Sequence, residues 1–255
     1  MRSIPDAFVL GCCGVLPILP LACSSAPQAP QKVVPIVEIL AAAQPAELTA
    51  QDLAPHSTDA TRWQLVDAQW RPTGKSSVVL SAAAVDGSRS GWRVDGIDGT
   101  VDGLFIASDG SLQLAGTDSV GDDARTTFDP PLLLAPPMLR SDDEFISEAS
   151  MRVDSMSSNR NRDNGSARRT LRIVRGERIR TPAGEWDATV IESVFTATLD
   201  MALATHRTTL WIVPNIGPVI ERWEATVKVL GVSVPRDRGT AVRIDPPAQQ
   251  SALLQ

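Results

Sequence analysis

The architecture follows from residues 180–234, where two turn signals lie between runs of strand-forming residues. The first stretch reads RTPAGEWDATVIESV over residues 180–194, and the second reads THRTTLWIVPNIGPVIERW over residues 205–223. Proline fixes φ at one turn position and glycine accepts a left-handed conformation at another, so both stretches contain a tight turn. The flanking runs therefore predict at least four antiparallel strands.

The run after the second turn alternates between apolar and polar residues. Its apolar positions are Val219, Trp223, Ala225, Val227 and Val229, and its polar positions are Arg222, Glu224, Thr226 and Lys228. A period of two is that of a β-strand with one face on a core and the other in water. We therefore expect a sheet with one buried face here.

The N-terminus carries Arg2 and then an apolar run from Ala7 to Ala22, which ends in Leu21-Ala22-Cys23. These features resemble a bacterial lipoprotein signal peptide over residues 1–22. The resemblance implies cleavage before Cys23 and lipidation of that cysteine, with acyl chains such as palmitate. Ser24 then favours the periplasmic face of the outer membrane. Ordinary secretion and a retained membrane anchor are the alternatives.

Cysteine and charge exclude several kinds of function. All three cysteines, Cys12, Cys13 and Cys23, lie in the first 23 residues, so the rest of the chain has no thiol for a disulfide, a zinc site or a nucleophile. The net charge of −6 argues against general affinity for nucleic acid, whose phosphates would be repelled. The protein is therefore not expected to bind nucleic acid.

Composition divides the mature chain into three parts. Residues 23–58 are expected to be the lipidated N-terminus and a linker, because SSAPQAPQK over residues 24–32 has nothing to bury and prolines then close short helical or irregular segments. Short strand signals separated by turn residues run over residues 59–244, and residues 245–255 form a tail. The prediction is a mainly β domain, a curved antiparallel sheet arranged as a half-barrel or sandwich, with a short helical or irregular N-terminal segment.

Three motifs in the second half resemble an uncharacterised group of bacterial envelope proteins of the DUF3108 type. The motifs are a Pro-Pro-Leu-rich crossing at Pro130–Pro137, a strand start at Pro182–Ala188, and an aromatic strand that runs into a turn at Trp211–Gly217. The resemblance implies a curved antiparallel sheet or incomplete barrel, similar to periplasmic lipoprotein carriers. Its motifs consist of turn and packing residues, so it implies no catalytic residue.

Two functions remain open. In the first, a lipid-anchored protein binds an apolar or lipid-like ligand on its concave sheet face, with Trp186, Trp211 and Trp223 as the expected contacts. In the second, a structural or assembly lipoprotein holds an envelope protein partner through a sheet edge or a basic rim. No catalytic motif is present, so we expect neither an enzyme nor a cofactor.

Three weaker signals complete the analysis. His56 and His206 have no ligand or nucleophile nearby in sequence, so no metal is expected on them. Asp98, Asp102 and Asp109 approach the spacing of a calcium loop but also fit ordinary turns. Arginines crowd residues 160–180, which suits either contact with lipid phosphates or a solvated edge strand.

Overall fold

The computed structural model describes residues 33–55, 60–74, 78–80, 82–84, 91–96, 100–200, 202–229 and 232–246. The predicted signal peptide, Cys23, residues 24–32, His56, Asp98 and residues 247–255 of the predicted tail lie outside the described residues. Residues from Val33 onward belong to one compact unit. In the described part of this unit, no helix is long and apolar enough to cross a membrane.

Strands dominate the described residues. The elements of the first half are β1 (Glu38–Ala43), β2 (Leu48–Thr49), α1 (Ala50–Leu53), β3 (Thr61–Leu65), β4 (Val78–Leu80), β5 (Ala82–Ala84), β6 (Gly91–Asp95), β7 (Thr100–Ile106) and β8 (Leu112–Ser119). Those of the second half are β9 (Ala124–Ala135), β10 (Met138–Leu139), β11 (Glu144–Ser155), β12 (Asn161–Thr181), β13 (Gly184–Leu199), β14 (Ala202–Val213), β15 (Gly217–Val229) and β16 (Val232–Arg243).

The described strands form one 14-stranded antiparallel sheet and a small two-stranded sheet. The large sheet follows the order β4-β3-β16-β15-β14-β13-β12-β11-β9-β8-β7-β6-β5, with β1 added beside β12, while β10 pairs with β2. Most neighbours are consecutive in the chain, as hairpin connections require. This confirms the predicted mainly β, curved antiparallel fold, and one continuous sheet corresponds to the half-barrel form of that prediction.

Both turns predicted in residues 180–234 are present. β12 ends at Thr181 and β13 begins at Gly184, whereas β14 ends at Val213 and β15 begins at Gly217. Asn215 and Gly217 have φ of 63° and 91°, the left-handed conformation for which Asn and Gly are suited. Local turn chemistry thus sets the two hairpins.

Two local sequence signals are not followed in the structure: Asp-Gly at residues 109–110 indicates a two-residue hairpin turn, and the polar run over residues 157–166 indicates a loop. Asp109-Gly110 does not form a two-residue turn, because the hairpin closes at Ala107 and Ser111 and only Gly110 has positive φ, at 84°. Residues 157–166 are not a long loop, since β12 begins at Asn161 and pairs with β11. A polar sequence forms a strand here because its partner supplies regular backbone hydrogen bonds.

The sheet curves strongly. Phe128 on β9 and Phe195 on β13 lie three strands apart in the sheet order, yet their ring centroids are 6.3 Å apart in an edge-to-face contact. Neighbouring strands are spaced by about 4.8 Å, so a flat sheet would separate such residues by about 14 Å. We call the face that carries both rings the inner face.

The two ends of the sheet also approach each other. β4 and β5 end the strand order, but only residue 81 separates them in the chain. Two Cα–Cα steps span at most about 7.6 Å, so the ends meet closely. No ladder joins β4 to β5 within the described ranges, and the sheet there stays open.

Residues 33–55 belong to the folded domain, in contrast to the predicted linker over residues 23–58. Val37 packs on the outer face, β1 pairs with the second half of β12, and Leu48 and Ala50 then pack on the inner face. β11 pairs only with the first half of β12, so the edge of the second half of β12 is open to other segments. Residues 33–55 pass around this edge from the outer face to the inner face. Long-range pairing of this kind leaves no local sequence signal.

Helix α1 fixes this segment on the inner face. Thr49 and Asp52 form a capping box, in which each side chain accepts a hydrogen bond from the other residue's backbone nitrogen. Oδ1 of Asp52 also accepts from the backbone nitrogen of Asn215 at 2.8 Å. Asp52 therefore joins the helix to the turn between β14 and β15.

The Pro-Pro-Leu segment is a strand on one side only. Leu132–Ala135 pairs with β8, while the pairing between β9 and β11 stops at Asp129, before Pro130 and Pro131. Proline lacks the N–H that a second ladder would need. Leu132 is fully buried, so the segment places this leucine on the core.

Candidate ligand-binding face

The strands β12–β16 carry different residues on their two faces. On the inner face, Leu171, Ile173, Ile191, Leu210 and Ile212 form an apolar cluster with residues of α1 and of seven further strands. The outer face carries a second cluster, which contains Ile179, Ala188, Val190, Trp211, Val213, Ile220 and Val242. Residues adjacent in a strand, such as Val190 and Ile191, therefore lie in opposite clusters.

One end of the inner face is filled. Leu48, Ala50 and Ala54 are buried against Ile191 and Ile212, and Thr189 accepts a hydrogen bond from the backbone nitrogen of Ala46 at 2.8 Å. This end lies beside the turns at residues 182–183 and 214–216. It offers no room for a ligand while α1 is in place.

The inner face becomes partly exposed toward the opposite end of β13, β14 and β15. We call the part-exposed residues there the inner strip, which consists of Phe195, Ala204, His206, Thr208, Ala225 and Val227. Strand pairing places them side by side, because Phe195 is opposite His206 and His206 is opposite Ala225. The strip is therefore a continuous and mainly apolar surface.

Exposed valines continue the strip to the end of the sheet. Val229 pairs with Val232 and Val227 with Val234, which places all four on the inner side of the β15–β16 hairpin. Val229 is 43% exposed and Val232 is 65% exposed. We call Val229, Val232 and Val234 the mouth valines. Contiguous exposed apolar surface of this kind is typical of a ligand or partner contact.

A cleft of about 450 Å³ opens at the same end of the sheet. Its lining residues are Asp122, Ala124, Val153, Arg162, Asp163 and Leu199. Val153 and Leu199 provide an apolar floor, while Arg162 donates to the backbone oxygens of Asp122 and Asp123 at 2.8 and 3.1 Å. The mouth thus combines an apolar interior with a charged rim.

Arg169 is a cation on the inner face. It alternates with Ala167, Leu171 and Ile173, and its Nε and Nη1 donate to Ser193 Oγ and to the backbone oxygen of Leu134, each at 2.7 Å. Desolvation lowers the pKa of Arg169 to about 10, although the charge of Asp102 opposes this shift. Arg169 is part-buried and remains charged at neutral pH.

The three predicted tryptophan contacts do not share a face. Trp211 is 2% exposed in the outer cluster, and Trp186 packs part-buried against that cluster. Trp223 lies on the inner side, where it is 7% exposed and packs with Trp63 and Ala241. The predicted joint contribution to one concave surface is therefore wrong, because strand pairing places Trp211 opposite Val190 and Ile220 on the outer face.

Each of these indoles also has a hydrogen-bond acceptor in the protein. Nε1 of Trp211 donates to Glu177 Oε2 at 2.7 Å, that of Trp223 to Asp237 Oδ2 at 2.8 Å, and that of Trp186 to Thr181 Oγ1 at 3.2 Å. Trp211 also meets the Trp70 ring edge-to-face at 5.9 Å. Packing and satisfied N–H groups give Trp211 a structural role.

The arginine run predicted as a basic rim is largely neutralised. Its ion pairs are Arg168–Glu148, Arg172–Glu192, Arg175–Glu177, Arg178–Glu185 and Arg180–Glu38. Alternating charge on neighbouring strands is typical of a solvated sheet surface. The geometry thus supports the solvated-strand interpretation over contact with lipid phosphates.

The predicted calcium-like spacing is taken up by local hydrogen bonds. Asp109 accepts from the Ser111 backbone nitrogen and hydroxyl, at 2.9 and 2.6 Å, and these bonds lower the pKa of its carboxyl. Asp102 accepts from Thr117 Oγ1 at 2.7 Å on the inner face. Within the described ranges, no group of three metal-ligating residues is present.

Arg169 and Phe195 were not among the predicted site residues. The signal for Arg169 was its place in the alternation Ala167, Arg169, Leu171 and Ile173, where an arginine occupies an apolar position. Phe195 was less visible, since Val194 and Phe195 are both apolar and period two does not choose between them. Only the pairing of Phe195 with Arg169 and His206 shows its face.

Comparisons with known proteins give a distant likeness. The chain matches no protein-family model and no curated protein. A candidate lipoprotein from Parabacteroides distasonis ATCC 8503 is 14% identical, with a TM-score of 0.35, over 75% of this chain and 96% of that chain. A candidate exported protein with a YmcC-like fold from Bacteroides fragilis NCTC 9343 is 15% identical, with a TM-score of 0.37, over 76% and 97%. The resemblance to the DUF3108 group stays a prediction.

Proposed function

We propose that the protein is a lipid-anchored protein of the bacterial cell envelope that binds an apolar or lipid-like ligand along its inner strip. The anchor is Cys23, and the leader over residues 1–22 and Ser24 favour the periplasmic face of the outer membrane. This placement draws its support from the sequence.

The observation that carries the ligand proposal is the exposure gradient along the inner face. Ile191 and Ile212 are fully buried under α1, the inner strip is part-exposed, and the mouth valines are the most exposed. An apolar ligand that covers this surface would remove it from water, at about 25 cal/mol for each Å² buried. Small residues such as Ala204 and Ala225 leave space above the strip.

Binding is tested with a Cys23→Ser protein exported to the periplasm by a leader that is not lipidated. Native mass spectrometry of gently purified protein is expected to show a co-purified lipid or fatty acid, or uptake of one when it is offered. A mass that stays that of the protein alone after lipid is offered would contradict the proposal.

Two matched variants locate the site. Val229→Glu places a charge on the inner face at the mouth, whereas Leu203→Glu places a charge on the outer face of the neighbouring strand β14. The two positions are similarly exposed, at 43% and 39%. Val229→Glu is expected to weaken ligand binding at least tenfold, because a charge would have to be desolvated beside an apolar ligand. Leu203→Glu is expected to bind as the unsubstituted protein does. Equal effects would show that the inner face is not the site.

The alternative is an assembly lipoprotein that uses its exposed hairpin to hold an envelope protein. The mouth valines support this alternative as well, since apolar hairpin tips also suit protein contacts. In a crosslinking experiment with intact cells, the assembly alternative expects one protein partner that is lost in Val229→Glu. The ligand proposal expects acyl-chain binding by the isolated protein.

A further inference from the structure

Arg169 differs from the other arginines of β12 in its partners. Five other arginines of this strand each have a carboxylate oxygen at 2.6 to 3.1 Å, namely Arg168, Arg172, Arg175, Arg178 and Arg180. In the described part of the chain, Arg169 has no carboxylate within 4.0 Å, and its two hydrogen bonds go to neutral oxygens of Ser193 and Leu134. A partly desolvated charge whose hydrogen bonds go only to neutral groups gains free energy when an opposite charge joins the site.

One side of the guanidinium remains available. Nε and Nη1 of Arg169 are occupied, whereas Nη2 donates no hydrogen bond to any described residue. Arginine presents its N–H groups in a planar fork, and two occupied positions hold that fork in a fixed orientation. A fixed fork with a free donor is preorganised for an oxygen of an anionic group.

The neighbouring charged groups have other partners. Asp102 accepts from Thr117, and Asp237 accepts from the Trp223 indole. His206 lies on the same row as Arg169 and Phe195, and it also has an interaction within the protein. Asp102 also acts on Arg169, but from beyond 4.0 Å, so Arg169 has no carboxylate of the described residues in direct contact.

We propose that Arg169 is an anion-binding residue of the inner face and holds the carboxylate or phosphate of a ligand whose acyl chain lies along the inner strip. This inference rests on the proposed function and adds the headgroup chemistry to it. Phe195 and Leu199 are four residues apart on β13, about 13 Å at 3.3 Å per residue. Since Phe195 pairs with Arg169, the acyl chain of the ligand would run from Arg169 along β13 toward the mouth valines.

The test compares three ligands of equal chain length at pH 8 in the Cys23→Ser protein, namely decanoate, decyl phosphate and 1-decanol. Isothermal titration calorimetry is expected to show that at least one anion binds about tenfold or more tightly than the neutral alcohol, as a charge-assisted hydrogen bond to a fixed guanidinium predicts. The order of the two anions distinguishes a carboxylate from a phosphate headgroup. This comparison requires no substitution in the folded domain.

Two substitutions assign the preference to Arg169. Arg169→Gln is expected to bind decanol as before and to lose the preference for the anion, whereas Arg169→Lys keeps most of it. Arg172→Gln is the control, because Arg172 lies on the outer face and pairs with Glu192 at 2.7 Å. It is expected to leave all three affinities unchanged.

The outcomes separate this inference from the proposed function. Equal affinity for the alcohol and both anions in the unsubstituted protein would overturn the role of Arg169 and leave apolar binding in place. Absence of binding by all three ligands would overturn both. An anion preference that persists in Arg169→Gln, with circular dichroism unchanged, would place the anion at another residue.

Discussion

Replacing Trp211 by phenylalanine tests whether this residue supports the fold or contacts a ligand. The indole is 2% exposed and its Nε1 donates to Glu177 Oε2 at 2.7 Å, while Arg175 donates to the other carboxylate oxygen at 2.6 Å. Trp211→Phe leaves a buried carboxylate oxygen without its donor, which costs about 1.5 to 3 kcal/mol. The smaller ring adds a cavity cost of about 1 kcal/mol, so a total near 3 kcal/mol is expected.

Urea unfolding followed by circular dichroism measures this loss of stability. Trp186→Phe is the matched control, because that indole donates to a neutral hydroxyl at 3.2 Å and is only part-buried. Its loss is expected to be about 1 kcal/mol. The double variant Trp211→Phe/Glu177→Met should lose less stability than the sum of the losses of the two single variants, since both polar partners are then gone.

The opposite pattern would refute this structural role. A loss below about 1 kcal/mol for Trp211→Phe, no larger than that for Trp186→Phe, would mean that the Glu177 contact contributes little. Strict additivity with Glu177→Met would lead to the same conclusion.

Three further predictions concern stability. Gly239→Ala is expected to cost about 1 to 3 kcal/mol in urea unfolding, because its Cβ would overlap the Trp223 ring, whereas Gly121→Ala has open space and should cost nothing measurable. Leu48→Ala is expected to cost about 2 to 5 kcal/mol, since Leu48 is fully buried, and a loss below about 1 kcal/mol would show that residues 46–54 do not pack on the inner face. Hydrogen bonds from Arg125 lower the pKa of Asp118 in the folded protein. The stability that the ionised Asp118 adds to the fold is therefore complete above the unfolded pKa of about 3.9 and is lost as pH falls through the folded pKa. Asp118→Asn should therefore flatten the stability profile below about pH 4, and an unchanged acid profile would contradict this linkage.

Local signals account for the hairpins and for the overall fold class. Pro182–Gly184 and Pro214–Gly217 mark turns because proline and glycine fix local dihedral angles, and alternation then predicts the flanking strands. Trp223, Ala225 and Val227 do lie on one face, as the alternation in β15 indicates. These features depend on neighbours in the chain, so the sequence was sufficient for them.

Faces that depend on pairing between strands could not be predicted in this way. Val219 was expected to share a face with Trp223, but a register shift between Trp211 and Ile212 makes Val219 the extra residue of a bulge, and it packs with Ile220 in the outer cluster. A second shift lies between Ile173 and Arg175 on β12. A bulge changes which residues share a face, and period two alone does not reveal it.

The role of residues 33–55 was missed for a related reason. Glu38 pairs with Arg180, and Asp52 accepts a hydrogen bond from Asn215, so the partners lie more than 140 residues away. The short apolar run and the prolines suggested a linker because nothing nearby in sequence could cover it. Its burial, and the accessible strip that it leaves beyond α1, depend on how the whole sheet curves.

Photocrosslinking tests the central proposal most directly. The probe is a fatty acid of decanoate length that carries a diazirine at its chain end. The probe is bound to the Cys23→Ser protein and the complex is irradiated. Peptide mass spectrometry then maps the attachment sites. We expect labels on the inner strip and the mouth valines, in peptides that contain Ala204, Val227 or Val229, and their loss when excess decanoate competes. Labels confined to the outer face, or labelling that excess decanoate does not reduce, would contradict ligand binding on the inner face.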